Sequence, residues 1–368
     1  MKITGISLYK TPLPYVGGSY GWGAGNAITT AIASVVVIDT DAGLQGCGEF
    51  TPCGENYMVA HSEGVEALLR IVAPSLLGED PRQVARIEAL LDHLVQGHGY
   101  AKSPIDIACW DLLGQSCGQP LWMLMGGKLT DGAPMYRVAP QKATDETVAE
   151  MQRYREQGYR QFQIKVGSDW SGDIERIRTG VSLLEPGEKA MADANQGWRV
   201  DNAIRVARAT ADLDYILEQP CRTYEECQQV RRVAQQPMKL DECITGMAAA
   251  QRVVADKGAE ICCLKLSNLG GLSKARRVRD FLVDNRLPVV SEDTWGGEIT
   301  TAAVAHFAAS TPEEYLQNTT DLMNYNTRST GIGGAYARDG KLYAPDGPGL
   351  GVTPDFESLG PAVAEWRA

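Results

Sequence analysis

A repeat of short β-rich segments, beginning near residue 134, constrains the fold more than any other feature of the chain. Eight such segments follow one another at intervals of roughly 25 residues, and helical patterns separate most of them. They read PMYRV, FQIKVG, KAMADAN, YILEQP, MKLDEC, EICCLKLS, PVVSED and EYLQNT. A strand followed by a helix, repeated about eight times, predicts a (β/α) barrel whose active site lies at the carboxyl ends of the strands.

The region before residue 125 has a different, mixed pattern. The segments ISLYKTPLP and AIASVVVIDTD are predicted strands, and VGGSYGWGAGN between them is a predicted loop rich in glycine and aromatic residues. Three helical patterns follow, with apolar residues three to four positions apart. They are HSEGVEALLRIVAPSLLG, PRQVARIEALLDHLVQG and SPIDIACWDLLGQSCG. A chain of 368 residues is long enough for two structural units of this kind.

Composition excludes several classes of partner. The formal net charge is −11, whereas a nucleic-acid-binding protein or one bound to an anionic membrane surface is expected to present a basic face. The opening MKITGISLYKTPLP lacks the apolar run of a secretory signal, and the apolar run at residues 28–38 is too short to span a bilayer. The nine cysteines form no CxxC pair, so we expect reduced, mostly buried thiols in a cytoplasmic protein.

Polar or charged residues end nearly every predicted strand of the repeat. If the barrel prediction is right, these side chains meet at one opening, called the mouth below. In chain order they are Lys165, Asp193 with Asn195, Glu218, Asp241 with Glu242, Lys265, Glu292 with Asp293, and Asp321 just past the eighth segment.

Three of these carboxylates, Asp193, Glu218 and Asp241, lie on successive strands and predict a magnesium site. Mg²⁺ prefers oxygen ligands in octahedral geometry and keeps positions open for water or substrate. The alternative is that acidic residues at strand ends only cap the helices that follow. Zinc would require histidine or cysteine ligands, and no histidine ends a predicted strand; the four are His61, His93, His98 and His306.

Two lysines, Lys165 on the second strand and Lys265 on the sixth, are expected to face each other across the mouth. Opposed lysines beside a metal suit removal of a proton α to a carboxylate, with the metal stabilising an enediolate. Burial is expected to lower the pKa of such a lysine toward the working pH. The alternative for each lysine is a structural salt bridge.

The motifs DANQGW, LEQP, LDE and LKLSNLGG, together with PIDIACWDLLGQSCGQPLWMLMGG, resemble the enolase superfamily, in the muconate-lactonizing branch of the mandelate racemase-like proteins. The resemblance implies a (β/α)7β barrel at residues 126–340 and an N-terminal α+β capping domain at 1–125. It also implies a C-terminal segment, 341–368, that returns to the capping domain. Mg²⁺ held by Asp193, Glu218 and Asp241, Lys165 and Lys265 as the acid/base pair, and an even-numbered homo-oligomer are further expectations.

One position departs from that branch, which usually carries Lys-x-Lys at the end of the second strand. Here the first of the two residues is Gln163, in QIK. Without a neighbouring ammonium group, the pKa of Lys165 must be lowered by the metal and by burial. The usual substrates of the branch, dipeptides above all, are therefore in doubt.

The pattern FQIKVG with SEDTWGG is similar to family members that act on proline derivatives. We expect dehydration of cis-3-hydroxy-L-proline to a cyclic imine, with racemisation or epimerisation of proline betaine or hydroxyproline betaine as the alternative. A betaine nitrogen would need aromatic faces, which Tyr20 and the substrate candidates Tyr57 and Trp22 could supply. The expected substrate-binding residues are Tyr57, Trp22, Gln163, Asn195, Glu292, Asp293, Trp295 and Asp321, with Glu242 supporting the metal ligands.

Other classes of function make distinct predictions. A non-catalytic binding protein would not need opposed lysines, and a zinc hydrolase would gain activity when Zn²⁺ replaces Mg²⁺. A dinucleotide oxidoreductase is disfavoured because GWGAGN precedes a strand, whereas the nucleotide-binding motif follows one.

Overall fold

A computed structural model describes residues 1–139 and 144–368. The N-terminal region folds as an antiparallel sheet packed against three helices. Its elements are β1 (Ile3–Pro14), β2 (Tyr20–Trp22), β3 (Asn26–Ile28), β4 (Thr30–Thr40), β5 (Gln45–Phe50), α1 (Ser62–Leu76), α2 (Val84–Leu94) and α3 (Gly99–Cys117). Leu69, Val72 and Leu76, spaced three or four residues apart on α1, pack into one core with Ile6 and Val36 of the sheet.

The segment predicted as a loop between β1 and β4 forms instead a short hairpin, β2 and β3, joined by a single 3₁₀ turn at Gly23–Gly25. Tyr20 pairs with Ile28, and Trp22 pairs with Asn26. The prediction of a loop was therefore wrong for residues 20–26, because glycines next to aromatic residues can supply the tight turn of a two-stranded hairpin. We call residues 20–28 the aromatic hairpin.

The repeat beyond residue 134 forms the predicted barrel. Its parallel strands are adjacent in chain order, and a parallel bridge between Met135 and Thr319 joins the first strand region to the last. The elements are α4 (Leu121–Leu124), β6 (Ala133–Pro134), β7 (Arg137–Ala139), α5 (Thr144–Glu156), β8 (Gln161–Lys165), α6 (Trp170–Ser182), β9 (Lys189–Asp193), α7 (Val200–Ala209), β10 (Ile216–Glu218), α8 (Tyr224–Arg231), β11 (Met238–Leu240), α9 (Met247–Asp256), β12 (Ile261–Lys265), α10 (Leu266–Leu269), α11 (Leu272–Asp284), β13 (Val289–Glu292), α12 (Glu298–Ala309) and β14 (Leu316–Thr319).

The eighth strand, β14, is not followed by an outer barrel helix, so the prediction of a (β/α)7β barrel with an N-terminal α+β domain is confirmed. The remaining elements are the 3₁₀ turns Glu313–Tyr315 and Leu322–Tyr325, then β15 (Gly331–Gly333), β16 (Tyr336–Arg338), β17 (Lys341–Tyr343), β18 (Val352–Pro354), α13 (Phe356–Leu359) and β19 (Ala364–Arg367). β19 pairs with β1 of the N-terminal sheet, while β17 pairs with β6. The domain boundaries at residues 125 and 340 stay predictions.

A buried carboxylate joins the N-terminal region to a barrel helix. Asp106 on α3 accepts a hydrogen bond of 3.0 Å from the backbone N–H of Ser273, in the first turn of α11, and a second one from the Ser273 hydroxyl. Burial raises the pKa of Asp106 to about 7 despite these donors. This contact therefore fixes where α3 meets the barrel.

Cysteine placement agrees with the prediction of reduced thiols. All nine cysteines are free, seven of them are buried, and only Cys117 is exposed. Across residues 1–139 and 144–368, no helix combines the length and the apolar character needed to cross a bilayer.

Candidate active site

The charged residues predicted to end the strands lie together at the mouth of the barrel. Strand register places Lys165 beside Asp193 and Asp193 beside Glu218, and on the far side it places Lys265 beside Glu292. Each of these side chains is at most 5% exposed, so their charges interact in a largely dehydrated environment. Lys165 on β8 and Lys265 on β12 are four strands apart in an eight-stranded barrel, and so they face each other.

Lys165 forms an ion pair within its own side of the mouth. Its Nζ lies 2.6 Å from Asp193 Oδ2 and 3.1 Å from Asn195 Oδ1, and the Tyr20 ring lies above it at 5.8 Å. Burial alone would lower the pKa of Lys165. The Asp193 carboxylate raises this pKa by more than burial lowers it, so the pKa lies well above its ordinary value. Burial therefore does not bring the pKa of Lys165 below its ordinary value, because the direct carboxylate contact outweighs desolvation; lowering by a bound metal stays a prediction.

Lys265 is held by two carboxylates. Its Nζ lies 2.6 Å from Asp241 Oδ1 and 2.7 Å from Glu292 Oε1, and the Tyr57 ring lies 5.6 Å away. Burial again lowers the pKa of Lys265, and Asp241 is the largest influence that raises it well above its ordinary value. Each lysine therefore sits between an acidic partner below and a tyrosine ring above.

The carboxylates at the mouth outnumber the cations. Apart from Asp293, which is held by Ser267 and two backbone N–H groups, five carboxylates face three ammonium groups, so negative charge is in excess at the mouth and a divalent cation would offset it. Burial and the neighbouring Asp193 raise the pKa of Glu218 to about 7, which is the sign of a crowded acidic site. The carboxylates are Asp193, Glu218, Asp241, Glu242 and Glu292, and the cations are Lys165, Lys239 and Lys265.

The donor set fits a hard cation through its oxygens. Asp193, Glu218 and Asp241 end or follow three adjacent strands and are each at most 2% exposed. A tighter group also exists, since Asp241, Cys263 and Glu292 place one potential ligand atom each within 4.8 Å of one another. Burial raises the pKa of the Cys263 thiol well above its ordinary value, so this sulfur is a poor ligand for Mg²⁺. The oxygen set is the better fit.

Most of the residues expected to contact substrate line one cavity above these carboxylates. They are Trp22, Tyr57, Gln163, Asn195, Glu292, Asp293 and Trp295. Tyr57 donates a 3.3 Å hydrogen bond to Asp241, and Asp293 accepts backbone hydrogen bonds from Ser267 and Thr294. Burial raises the pKa of Asp293 to about 6. None of the four histidines lines this cavity, consistent with oxygen ligands.

Two of the expected residues have other surroundings. Asp321 is fully buried and does not line the cavity, because Arg137 holds both of its oxygens at 2.6 and 2.8 Å. Glu242 accepts a 3.2 Å hydrogen bond from Asn195 through Oε1, and its buried Oε2 has no hydrogen-bond partner among the described residues. Asp321 therefore faces an arginine at the edge of the mouth, and Glu242 faces the side chain that contacts Lys165.

Several residues of the cavity wall were not assigned from the sequence. Tyr136 donates a 3.2 Å hydrogen bond to Glu292, and Tyr325 packs against Trp295 with ring centroids 5.7 Å apart. Tyr136 precedes the first strand, and Tyr325 ends a 3₁₀ turn after the last one, so neither belongs to the strand-end pattern. The other unassigned wall residues are Cys53, Thr294, Thr320 and Leu322.

The turn after Lys165 is held by a buried carboxylate on α6. Asp173 Oδ2 accepts hydrogen bonds from the backbone N–H groups of Gly167 and Ser168, at 2.9 and 3.0 Å, and from Trp198 Nε1 at 2.9 Å. Trp198 belongs to the loop that follows Asp193. One fully buried side chain therefore connects the loops behind a lysine and a carboxylate of the mouth.

The aromatic hairpin rests on the same turn through backbone contacts. The N–H of Ala24 donates a 3.0 Å hydrogen bond to the carbonyl of Gly167, and a Cβ at Gly23 would overlap the carbonyl oxygen of Ala194. Gly167 has φ +97, and a Cβ there would also overlap that oxygen. A glycine after the lysine strand is thus required both by backbone conformation and by the close approach of a neighbouring loop.

Comparison with known proteins agrees with this arrangement. Residues 146–359 match the family described as enolase C-terminal domain-like, and residues 24–126 match the mandelate racemase/muconate lactonizing enzyme N-terminal domain. The chain is 42% identical to the cis-3-hydroxy-L-proline dehydratase of Roseibium aggregatum, with all of both chains covered.

Solved structures similar to this chain belong to the same family. A mandelate racemase/muconate lactonizing enzyme from Roseovarius nubinhibens ISM is 78% identical with a TM-score of 0.98, covering 100% of this chain and 99% of that one. An enolase superfamily member from the same organism, complexed with magnesium, is 34% identical with a TM-score of 0.93 over all of both chains. The chain therefore belongs to the mandelate racemase/muconate lactonizing enzyme family of the enolase superfamily.

Proposed function

We propose that this protein is a Mg²⁺-dependent dehydratase that removes water from cis-3-hydroxy-L-proline. The observation that carries the proposal is the pair of buried lysines on opposite walls of the mouth, with carboxylates between them. The full-length similarity to a cis-3-hydroxy-L-proline dehydratase supports the choice of substrate.

The stereochemistry of this substrate matches opposed lysines. Its hydroxyl and carboxylate lie on one face of the ring, and the α-proton lies on the other. One lysine, in its neutral form, takes the α-proton from one side, and the other, as an ammonium, protonates the departing hydroxyl from the opposite side. The C–O bond breaks as the Cα–Cβ double bond forms, and the resulting cyclic enamine becomes an imine by moving one proton.

The metal site would be formed by Asp193, Glu218 and Asp241. A divalent cation there supplies a Lewis acid for the substrate carboxylate, which stabilises the negative charge that develops as the α-proton leaves. Asp193 and Asp241 are also the partners of Lys165 and Lys265, so ligands and lysines share the same oxygens. The Mg²⁺ requirement, a small amino-acid-derived substrate and a homo-oligomer are all part of this proposal.

The cavity wall favours a free amine over a quaternary one. Gln163 Oε1 is buried on the wall and has no hydrogen-bond partner among the described residues, so it can accept from a ring N–H. A quaternary betaine has no N–H to offer. Gln163 therefore distinguishes hydroxyproline from its betaine by a single hydrogen bond.

Epimerisation of a betaine is the second candidate because the mouth has an aromatic roof. The rings of Tyr20, Trp295 and Tyr325 pack within 6.2 Å of one another, and Trp22 contacts Tyr57 at 6.1 Å. Such rings suit a quaternary nitrogen through cation–π attraction. The same two lysines would then exchange the α-proton without elimination.

Proton NMR of the Mg²⁺-loaded protein in deuterium oxide separates these functions. With cis-3-hydroxy-L-proline we expect loss of substrate and appearance of the cyclic imine. Lys165→Met should abolish this conversion, while Lys341→Met, on the exposed edge of β17, should leave it unchanged. Deuterium exchange into proline betaine or hydroxyproline betaine, with cis-3-hydroxy-L-proline untouched, would refute the dehydratase and support the epimerase.

A further inference from the structure

A third lysine, Lys239 on β11, is completely buried in the barrel and has no part in the chemistry described above. Its Nζ lies 2.7 Å from Glu218 Oε1 on the neighbouring strand, where the register pairs the two residues directly. Lys239 precedes Asp241 by two positions, so both side chains point to the same face of the strand. An ammonium group is therefore buried directly against a proposed metal ligand.

Gln163 contacts the other oxygen of the same carboxylate. Its Nε2 donates a 3.1 Å hydrogen bond to Glu218 Oε2, and its side chain, like those of Glu218 and Lys239, is almost fully buried. Gln163 lies on β8 and Lys239 on β11, so Glu218 on β10 is held from two sides of the barrel interior. Both oxygens of this carboxylate have a defined donor or cation.

The surroundings explain why Glu218 requires this support. Asp193, Asp241 and Glu292 all act on Glu218 as like charges, and water is excluded. A buried carboxylate with no cation or donor beside it would turn away from the mouth, and the metal would lose an oriented ligand. Of the charged groups next to Glu218, the Lys239 ammonium is the one in direct contact.

We propose that Lys239 and Gln163 are positioning residues that clamp Glu218 for divalent-cation binding, and that the clamp needs one ammonium group, either from β11 or from β8. This inference rests on the proposed metal site. It adds a role in holding a ligand, through Nε2, to the contact with substrate that we expect of Gln163. It also explains how Gln163 can stand where related proteins carry the first lysine of Lys-x-Lys, since Lys239 on β11 supplies the positive charge beside Glu218.

The test moves the charge from one strand to the other. Lys239→Met removes the ammonium group at similar volume, and the double variant Gln163→Lys/Lys239→Met places a lysine on the opposite side of Glu218. Lys102→Met is the control, because Lys102 on α3 is nearly as buried as Lys239 and pairs at 2.7 Å with Asp92 on α2, in the N-terminal region. Thermal unfolding without metal and Mg²⁺ titration by calorimetry are measured for each protein.

We expect Lys239→Met to lower the melting temperature and to weaken Mg²⁺ binding by about tenfold or more, the usual loss when a group that orients a metal ligand is removed. The double variant should recover most of both losses. Lys102→Met should lower the melting temperature and leave Mg²⁺ affinity unchanged. If Lys239→Met does not fold, Lys239→Gln carries the same expectation.

Unchanged or tighter Mg²⁺ binding by the Lys239 variants would overturn the proposal, because it would mean that the ammonium competes with the metal for Glu218. Failure of the double variant to recover either quantity would also overturn it. If the wild-type protein takes up no Mg²⁺ while the double variant still recovers the melting temperature, the metal site fails and the charge clamp stands.

Discussion

The buried contact between Asp106 and α11 yields a quantitative prediction about pH. Asp106 lies at the amino end of α11, where the helix dipole favours a negative charge, but it is also fully enclosed, which disfavours that charge. Burial is the stronger influence and raises its pKa from 3.8 to about 7, with Glu88 raising it further and Arg277 lowering it. The folded protein therefore retains a proton that the unfolded chain releases near pH 4.

The sign and size of the pH effect on the free energy of unfolding follow from the difference between the folded-state and unfolded-state pKa values of Asp106. A carboxyl group whose pKa is higher in the folded state favours folding at low pH, and this contribution is lost as the pH rises through the folded-state pKa. Between pH 5 and pH 8, a change of pKa from 3.8 to about 7 removes about 2.5 kcal/mol from the free energy of unfolding. Asp106→Asn cannot ionise, yet its amide can accept from the Ser273 N–H and donate to the Ser273 hydroxyl.

The assay is urea unfolding of the wild-type protein and Asp106→Asn at pH 5, 6.5 and 8. We expect the stability of Asp106→Asn relative to wild type to increase by about 2.5 kcal/mol between pH 5 and pH 8. Asp92→Asn is the control: Lys102 and Lys274 hold the pKa of Asp92 below its ordinary value against the effect of burial, so this variant should lose the same stability at all three pH values. A stability difference between the wild-type protein and Asp106→Asn that stays constant from pH 5 to pH 8 would show that the folded-state pKa of Asp106 is not raised, and would refute the reasoning.

Three further predictions concern the site. Lys265→Met should lower kcat by about 10³-fold because it removes one of the two opposed proton-transfer groups, and turnover within tenfold of wild type would contradict this role. Asp173→Ala should lower kcat about 10²-fold with KM little changed; an equal loss in Trp198→Phe would assign the effect to the indole contact instead. Gly23→Ala should raise KM with kcat maintained, because a methyl group there meets the Ala194 carbonyl; steady-state kinetics with an unchanged KM would contradict the contact.

Some of this architecture was predictable because barrels follow a local rule. Each strand is short and ends where a polar residue appears, so the order Lys165, Asp193, Glu218 could be read as neighbours around a ring before any contact was known. The spacing of the strands and the position of each residue at a strand end were enough for this prediction, because parallel strands all present their carboxyl ends at the same opening.

The remaining features depend on contacts between residues far apart in the chain. Asp321 follows the last barrel strand, but Arg137 on the first barrel strand, next to it in the closed ring, occupies both of its oxygens. Lys239 lies inside a strand and gives no signal in sequence that its charge is used. The effect of burial on the pKa of Lys165 could not be predicted, because burial and the Asp193 contact act in opposite senses and only the distance between the two side chains shows which is larger.

The aromatic hairpin contacts the barrel through its backbone and the cavity through its side chains, so substitutions in it can alter one set of contacts and leave the other intact. Its contacts with the turns after Lys165 and Asp193 are made by backbone atoms, from Ala24 to Gly167 and from Gly23 to Ala194. Its side chains, among them Tyr20 and Trp22, point instead into the wall of the cavity. Substitutions at Tyr20 and Trp22 can therefore change the shape of the cavity for a new substrate while the backbone contacts of the hairpin with the barrel are kept. The range of substrates can evolve in this way without a change in how the hairpin packs over the active site.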